Sequence, residues 1–194
     1  MRPSAILRVA GVVFNVALAI SYPVAIYWGL THLGTRAVSV MVLALLVPGL
    51  ILRFRRVERA LLWSVLRVPI AILILMVAAM TTEDARFVLA LPVAINAVLF
   101  AEFFGSLSAG QTPMIERFAR MQVKELPATG VIHCRRWTRY WSAFFVGNGL
   151  VALALALWAP LDWWTLYTGA IAYGLMGCLF AVEWLNRPPH QTAP

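Results

Sequence analysis

The chain has 194 residues, of which 62% are hydrophobic and only 12% are charged. Soluble domains are about 45–50% apolar and about 25% charged, so 16 basic and 8 acidic side chains are too few to cover a soluble protein of this length. The composition excludes a disordered or collagen-like chain and predicts an integral membrane protein. The net charge of +8 does not indicate nucleic acid binding, because most basic residues lie in short clusters between apolar runs.

Six apolar runs predict an all-α bundle of six transmembrane helices, since about 20 apolar residues span a bilayer. The predicted spans are residues 9–30, 37–52, 60–80, 86–107, 137–158 and 163–184. We expect residues 1–187 to form a single transmembrane domain, with a cytoplasmic loop over 108–136 and a flexible tail over 188–194. The second run is short and could begin nearer Leu33, and the third reaches a full length only if Arg67 lies inside it.

Charge placement predicts the topology of these spans. With the N-terminus inside, 14 of the 16 basic residues fall on the cytoplasmic side, and only Arg36 and Arg86 fall outside. The sequence therefore predicts a multi-pass protein of a bacterial inner membrane whose two termini are cytoplasmic. Ala17 and Ala19 have the spacing of a signal-peptide cleavage site, but the apolar run continues past them. We therefore expect the first span to stay uncleaved.

Glu102, near the end of the fourth span, is the first candidate for a polar site. A carboxylate in hydrocarbon is expensive unless it is protonated, paired or facing a wet cavity. Arg67 lies at a comparable depth in the third span, so an Arg67–Glu102 ion pair is our first structural hypothesis. A substrate or proton site at Glu102 is the alternative.

Other polar residues inside the spans are interpreted first as links between or within helices. Asn15, Asn96 and Asn148 can form interhelical hydrogen bonds worth about 0.6–2 kcal/mol, with a shared polar cavity as the alternative. Glu183 and Arg187 are four residues apart and can pair on one helix face.

The long loop contains a predicted amphipathic helix. Thr112 is its predicted cap, with Pro113 at the first helical position. The predicted apolar face carries Met114, Phe118 and Met121, and the predicted basic face carries Arg117, Arg120 and Lys124. Such a helix would lie on the membrane surface as an anchor, or would dock an acidic partner or a phosphate-bearing molecule.

The start of the fifth span is rich in arginine. Arg135 is followed by Arg136 and Arg139 beside Trp137 and Tyr140, a pattern typical of a topology signal with an aromatic belt. The alternative is an anion pocket that these arginines would build together with Arg117, Arg120 and Glu102, since guanidinium groups bind phosphate and carboxylate in forked geometry.

The sequence contains no recognisable catalytic constellation. No HExxH, GxSxG, phosphate-binding loop or calcium-binding loop occurs, and the two cysteines form no CxxC pair. We therefore predict no metal and no cofactor, and we lean against an enzyme. A membrane transferase stays open, because polar residues from separate helices can converge.

Several segments between residues 95 and 187 resemble a family of small, uncharacterised bacterial inner-membrane proteins that accompany aryl-polyene or fatty-acid-like pigment biosynthesis clusters. The segments that carry the resemblance are Gln111–Arg120, Cys134–Thr138, Phe144-Phe145, Leu157–Leu161 and Phe180–Trp184. The resemblance implies an accessory membrane component near acyl-chain assembly or export. It directs attention to Glu102, Thr112, Pro113, Arg117, Arg120, Arg136 and Glu183.

The leading functional prediction is an inner-membrane accessory protein that organises acyl or lipid-like intermediates at the cytoplasmic face. Its expected partners are the lipid bilayer and an acidic acyl carrier protein or other biosynthetic subunits, matched electrostatically by the basic loop. The alternative is a small transporter or flippase for an anionic or lipid-linked molecule, with a water-accessible cavity reaching Glu102, Asn96 and Asn148.

Overall fold

The computed structural model describes residues 21–54, 59–121, 123 and 126–188, and these residues form helices and turns without a strand. The predicted all-α class is therefore confirmed for the described part of the chain. The helices are α1 (21–32), α2 (Gly34–Phe54), α3 (Arg59–Thr82), α4 (Ala85–Leu89), α5 (Leu91–Gly105), α6 (Met114–Arg120), α7 (Ala128–Trp158), α8 (Leu161–Leu166) and α9 (Ala172–Leu185), and a π-helical turn over Tyr167–Ile171 joins α8 to α9.

In the described part of the chain, three helical segments are long and apolar enough to cross a membrane. They are Ala85–Gly105, Ala128–Trp158 and Leu161–Leu185, and they correspond to the predicted fourth, fifth and sixth spans. Two shorter apolar helices, Gly34–Pro48 and Leu66–Thr82, overlap the predicted second and third spans. Most of the predicted first span lies outside the described residues, so six spans stay a prediction.

Helix α7 begins at Ala128, nine residues before the predicted start of the fifth span at Trp137. Its 31 residues cover about 46 Å at 1.5 Å per residue, which exceeds a hydrocarbon core of about 30 Å. The charged segment around Arg135 and Arg136 is therefore helical and does not belong to an extended loop. The apolar run predicts which part of the helix can lie in lipid. It does not predict where the helix begins, because a helix can extend into polar residues.

A turn at Ala90 separates α4 from α5, although the sequence predicted one continuous span from residue 86. Pro92 has no backbone N–H, so the carbonyl of Val88, four residues earlier, has no helical donor there. The carbonyl of Leu89, beside the turn, accepts a hydrogen bond of 3.0 Å from Nε1 of Trp164, which is fully buried. The break is thus stabilised by an indole from another segment of the chain.

The chain divides into two compact units. The first unit contains the described residues up to Leu91 together with Ala154–Gly174, and the second contains Pro92–Leu153 and the described residues from Leu175 onward. In the first unit, α2 packs along α3, and a buried core forms from side chains of seven helices. Its buried members are Ile26, Val38, Met76, Ala79, Val88, Leu89, Leu91, Ala156 and Trp164.

The core of the second unit is aromatic. Phe103 of α5 and Phe145 of α7 meet edge to face with ring centroids 5.0 Å apart, and Trp141 joins them. Offset and edge-to-face ring pairs add about 0.5–1.5 kcal/mol beyond the burial of their area. This cluster holds α5 against α7 and forms the base of the cavity described below.

Many large apolar side chains face outward. Leu45 on α2 is 81% exposed, Leu150 on α7 is 61% exposed and Leu185 on α9 is 72% exposed. Soluble monomers rarely present contiguous apolar surface of this kind. Together with the three long apolar helices, this exposure indicates association with a membrane.

Candidate functional site

A cavity of about 840 Å³ opens in the second unit, and we call it the apolar groove. Its lining comes from the C-terminal half of α5, from α6 and the segment that follows it, from α7 as far as Phe145, and from α9 and the residues just after it. The apolar part of the lining includes Leu99, Phe103, Ile115, Phe118, Met121, Phe145, Met176 and Phe180. Small-molecule sites typically enclose about 300–1,000 Å³ and are mostly apolar with a few placed polar groups, which is the character of this groove.

Helix α6 is fixed as one wall of the groove by two hydroxyl groups. The backbone N–H of Met114 donates to Oγ of Ser106 at 2.9 Å, and that hydroxyl donates to the carbonyl of Phe103 at 2.6 Å. The N–H of Ile115 donates to Oγ1 of Thr138 at 3.3 Å. Two of the unpaired N–H groups of the helix start are therefore bound by α7 and by the end of α5.

The predicted cap of α6 is wrong. Pro113 occupies the cap position without a side-chain hydrogen bond, and Thr112 offers only its carbonyl, which accepts from Nε of Arg117 at 2.8 Å. The capping function predicted for the Thr112 hydroxyl is carried by Ser106 and Thr138, which are distant in sequence. Sequence reasoning missed them because a cap supplied from another helix has no local signal.

The two faces of α6 differ from the amphipathic prediction in one respect. Phe118 and Met121 line the groove, while Glu116, which was assigned to neither face, is only 5% exposed. Its carboxylate is held by Arg120, with Nη2 and Oε1 2.7 Å apart. Lys124, predicted on the basic face, lies outside the described residues.

Glu183 is the acidic residue among the described residues that line the groove, and it is only 2% exposed. Its Oε2 accepts a hydrogen bond of 3.0 Å from Nε1 of Trp141, and its Oε1 accepts one of 3.2 Å from Nη2 of Arg187. The predicted pair between Glu183 and Arg187 is present. A buried carboxylate is tolerated when its oxygens are paired and hydrogen-bonded, as both are here.

His133 and Cys134 also line the groove, and the sequence did not single out either as a site residue. His133 is 6% exposed, and its Nε2 finds no hydrogen-bond partner in the described part of the chain. Nε1 of Trp137, one turn later, is likewise buried without a partner there. A buried polar group left unpaired costs about 1–3 kcal/mol, so these atoms call for an explanation.

A signal for His133 was present but was hidden by the predicted loop. If the helix had been extended back to Ala128, positions 133, 137 and 141 would have fallen on one face, four residues apart. In the structure the rings of His133 and Trp137 lie 5.9 Å apart, and Trp141 reaches Glu183 from the same helix. Placing the helix start at Trp137 separated His133 from this stripe.

Three arginines of the predicted anion pocket have other partners in the described structure, and the pocket stays a prediction. Arg117 donates to the carbonyl of Thr112, Arg120 pairs with Glu116, and Arg135 donates to the carbonyl of Leu107 at 2.9 Å. Arg136 and Arg139 are exposed. Of the described residues that line the groove, the arginine is Arg187 from the end of α9.

Glu102 is half-buried on α5 and is not among the described residues that line the groove. Arg67, on α3, belongs to the first unit and Glu102 belongs to the second, so their ion pair stays a prediction. Asn15 lies outside the described residues.

The amides of Asn96 and Asn148 link two helices of the second unit. Nδ2 of Asn148 on α7 donates to Oδ1 of Asn96 on α5 at 3.0 Å, and Nδ2 of Asn96 donates to the carbonyl of Pro92 at 2.7 Å. Gly149 permits this approach, because a Cβ added there would lie 3.2 Å from Cβ of Asn96. The contact is the interhelical link that the sequence predicted, and neither amide lines the groove.

A smaller cavity of about 390 Å³ lies in the first unit between α1 and the α8–α9 segment. Tyr27 lines it and hydrogen-bonds to the Asp162 carboxylate. The cavity adjoins the π-helical turn, which contributes Gly169 and Ala170. Sequence reasoning did not anticipate it, because a π-turn has no reliable sequence signature.

Among the described residues no group of three or more His, Cys, Asp or Glu side chains could hold a metal ion. Comparison of the chain with protein-family models, with curated proteins and with solved structures gave no match. The groove and the polar side chains that line it are therefore the features that indicate a function.

Proposed function

We propose that this chain is a multi-pass protein of a bacterial inner membrane that binds the acyl chain of a lipid-like molecule in the apolar groove. Six spans with both termini in the cytoplasm complete the proposal, because that arrangement keeps 14 of the 16 basic residues on the inner side. The groove would then lie at the cytoplasmic end of the second unit. In this role the protein receives or organises acyl intermediates and does not transform them.

The observation that carries the proposal is a largely apolar lining that also includes a few polar side chains. Aromatic and aliphatic side chains such as Phe103, Ile115 and Met176 suit a hydrocarbon chain, whereas Glu183 and Arg187 are charged members of the same lining. Burying an apolar chain is favourable by about 25 cal/mol per Å². An amphiphile is therefore the class of molecule that matches both parts of the lining.

The proposed transporter or flippase receives less support. It requires a wet cavity that reaches Glu102, Asn96 and Asn148, but the two amides are hydrogen-bonded to each other. None of these three is among the described residues that line the groove. Binding and presentation of an acyl chain is the function that the geometry supports best.

An acidic acyl carrier protein remains a proposed partner. Arg117 and Arg120, which were expected to meet it, are bonded within α6 and to the segment before it. Arg136 and Arg139 are exposed on the first half of α7, so they are the cations we expect such a partner to approach first.

Groove-filling substitutions test the acyl-binding proposal. The protein is placed in phosphatidylcholine nanodiscs with a diazirine-bearing acyl methyl ester, and labelled residues are mapped by mass spectrometry. We expect labelling at buried groove residues such as Phe145, reduced at least about fivefold by Ala119→Trp or by Met176→Trp, since each indole occupies volume that the chain requires.

The matched control is Ala101→Trp, which introduces the same indole at an exposed position of α5 that is not part of the groove. It should leave the labelling of Phe145 unchanged. Labelling spread evenly over exposed apolar residues such as Leu45 and insensitive to both groove variants would overturn the proposal.

A further inference from the structure

The lining of the apolar groove contains both buried and exposed side chains. Phe103 and Phe145 are 8% and 4% exposed and form its base, whereas Phe118 and Phe180 are 49% and 54% exposed. An amphiphile gains free energy by burying its chain and loses it by burying its head, so the chain belongs at the base. The exposed members of the lining are therefore the ones that a polar head can meet.

Of the charged residues that line the described groove, Arg187 is the one that such a head can reach. Its side chain is 41% exposed, whereas that of Glu183 is 3% exposed and both of its carboxylate oxygens accept hydrogen bonds within the chain. The contact with Glu183 engages Nη2 of Arg187. Because a guanidinium carries five N–H donors in a planar fork, Arg187 can hold Glu183 and bind a second anion as well.

The charges around this part of the groove favour a negative head. Arg136 and Arg187 place two positive charges near the ring of His133. Glu183 places one negative charge near the same ring, and the ion pair within α6 adds no net charge. The described surroundings therefore carry a surplus of one positive charge, which a monoanion neutralises and a dianion exceeds.

We propose that the ligand of the groove is a fatty acid in its carboxylate form, with its chain against Phe103 and Phe145 and its carboxylate on the guanidinium of Arg187. The inference rests on the proposed acyl-binding function and specifies the head group that the site accepts. In the bound state the fatty acid and Glu183 share one guanidinium. A neutral ester keeps the contacts of the chain but lacks the ionic contact of the head.

Ligands with one chain length and different heads test the inference. Palmitic acid, methyl palmitate, hexadecylamine and palmitoyl lysophosphatidic acid each compete with the diazirine ester for labelling of Phe145 in nanodiscs that hold the full chain. Competition is compared at equal mole fraction in the bilayer and at a pH of about 8.5, because carboxylic acids with a pKa of about 4 and alkylamines with a pKa of about 10 are then both ionised.

We expect palmitate to reach half competition at a mole fraction about three- to tenfold lower than methyl palmitate, the gain from an ionic contact with a partly exposed arginine. Lysophosphatidic acid should compete more weakly than palmitate, because its phosphate carries more negative charge than the site neutralises. Hexadecylamine should compete least, because its cation meets Arg187.

Two substitutions in the ion pair should change the preference for palmitate over methyl palmitate in opposite directions. Arg187→Gln removes the cation and should abolish the preference. Glu183→Gln removes the competing carboxylate but keeps an oxygen that can accept from Nε1 of Trp141, so it should increase the preference at least about threefold. A purely structural role of the pair predicts instead that both variants weaken the binding of every ligand.

Arg139→Gln is the matched control, because Arg139 is an exposed cation of α7 that is not among the described residues that line the groove. It should leave the preference unchanged. Arg187→Lys keeps the charge without the planar fork and should retain part of the preference. If Arg187→Gln does not fold, because it leaves the Glu183 carboxylate buried without its cation, Glu183→Gln and Arg187→Lys decide the question.

The outcomes separate the inference from the proposed function. If no ligand competes and the groove-filling variants have no effect, the acyl-binding function is wrong. If the four ligands compete equally, if one other than palmitate competes best, or if Glu183→Gln does not increase the preference, the groove binds chains but the proposed recognition of a carboxylate is wrong. A photoreactive amino acid at Phe118 that crosslinks to another segment of this chain, or to a second copy, in place of lipid would overturn both.

Discussion

Trp164 shows how one side chain decides a local backbone break. It is fully buried in the first unit, and its Nε1 donates to the Leu89 carbonyl at the turn between α4 and α5. Trp163, its neighbour in sequence, is 60% exposed. Both tryptophans stand at the start of the predicted sixth span, so the sequence alone does not distinguish them.

We expect Trp164→Phe to lower the free energy of unfolding by about 1–3 kcal/mol, because it leaves a buried carbonyl unpaired and reduces packing. Unfolding in one detergent, followed by the loss of helical circular dichroism, measures the change. Trp163→Phe is the matched control and should stay within about 0.5 kcal/mol of the parent. Equal effects of the two substitutions would show that the indole hydrogen bond does not stabilise the turn.

Glu183 is a second residue whose contacts the sequence predicted only in part. Its pairing with Arg187 follows from a spacing of four residues and was predictable. Its burial and its bond to Trp141 were not, since the two residues are 42 positions apart. A residue that looked like a helix-end ion pair is therefore also part of the groove.

At the scale of elements, the contact between α5 and α7 combines a polar link with a close approach. Asn148 donates to Asn96, and Gly149 leaves room for the Asn96 side chain. Interhelical hydrogen bonds in membranes are worth about 0.6–2 kcal/mol, so this contact is a modest but directional part of helix association.

A double-mutant cycle on Asn96→Ala and Asn148→Ala should give a coupling energy of about 0.6–2 kcal/mol toward stability. The measurement is the free energy of unfolding of the parent, both single variants and the double variant in the same detergent. Asn186→Ala provides the control pair with Asn96→Ala, because Asn186 bonds to the carbonyl of Val182 near its own position. A coupling energy near zero for Asn96 and Asn148 would contradict the proposed link.

Helix α7 is the element in which the sequence prediction was least complete. Its apolar portion was placed correctly up to Trp158, but its first nine residues were assigned to a loop because they are rich in arginine. Those residues contain His133 and Cys134, so the error in the helix start concealed part of the groove.

At the scale of the whole molecule, the exposed apolar surface and the basic clusters together predict the six-span topology, which can be tested. Reporter fusions after Arg59 and after Gln122 should both be cytoplasmic, and a fusion after Pro160 should be periplasmic, because the basic residues favour the inner side. Enzymatic activity of paired cytoplasmic and periplasmic reporters at each site measures the orientation. Opposite orientations at Arg59 and Gln122 would contradict the six-span arrangement.

The sequence by itself determined the membrane class, the helical fold and the approximate centres of the long apolar helices, because hydrophobic length and charge clustering are local properties. It also predicted the pair Glu183–Arg187 and a linking role for Asn96 and Asn148, although it did not predict that these two amides bond to each other. Only the tertiary structure decided which side chains surround the groove. The lining of the groove depends on the packing of α5, α6, α7 and α9. It also depends on hydroxyl and indole groups that bond to residues distant in sequence, and no local sequence pattern predicts such contacts.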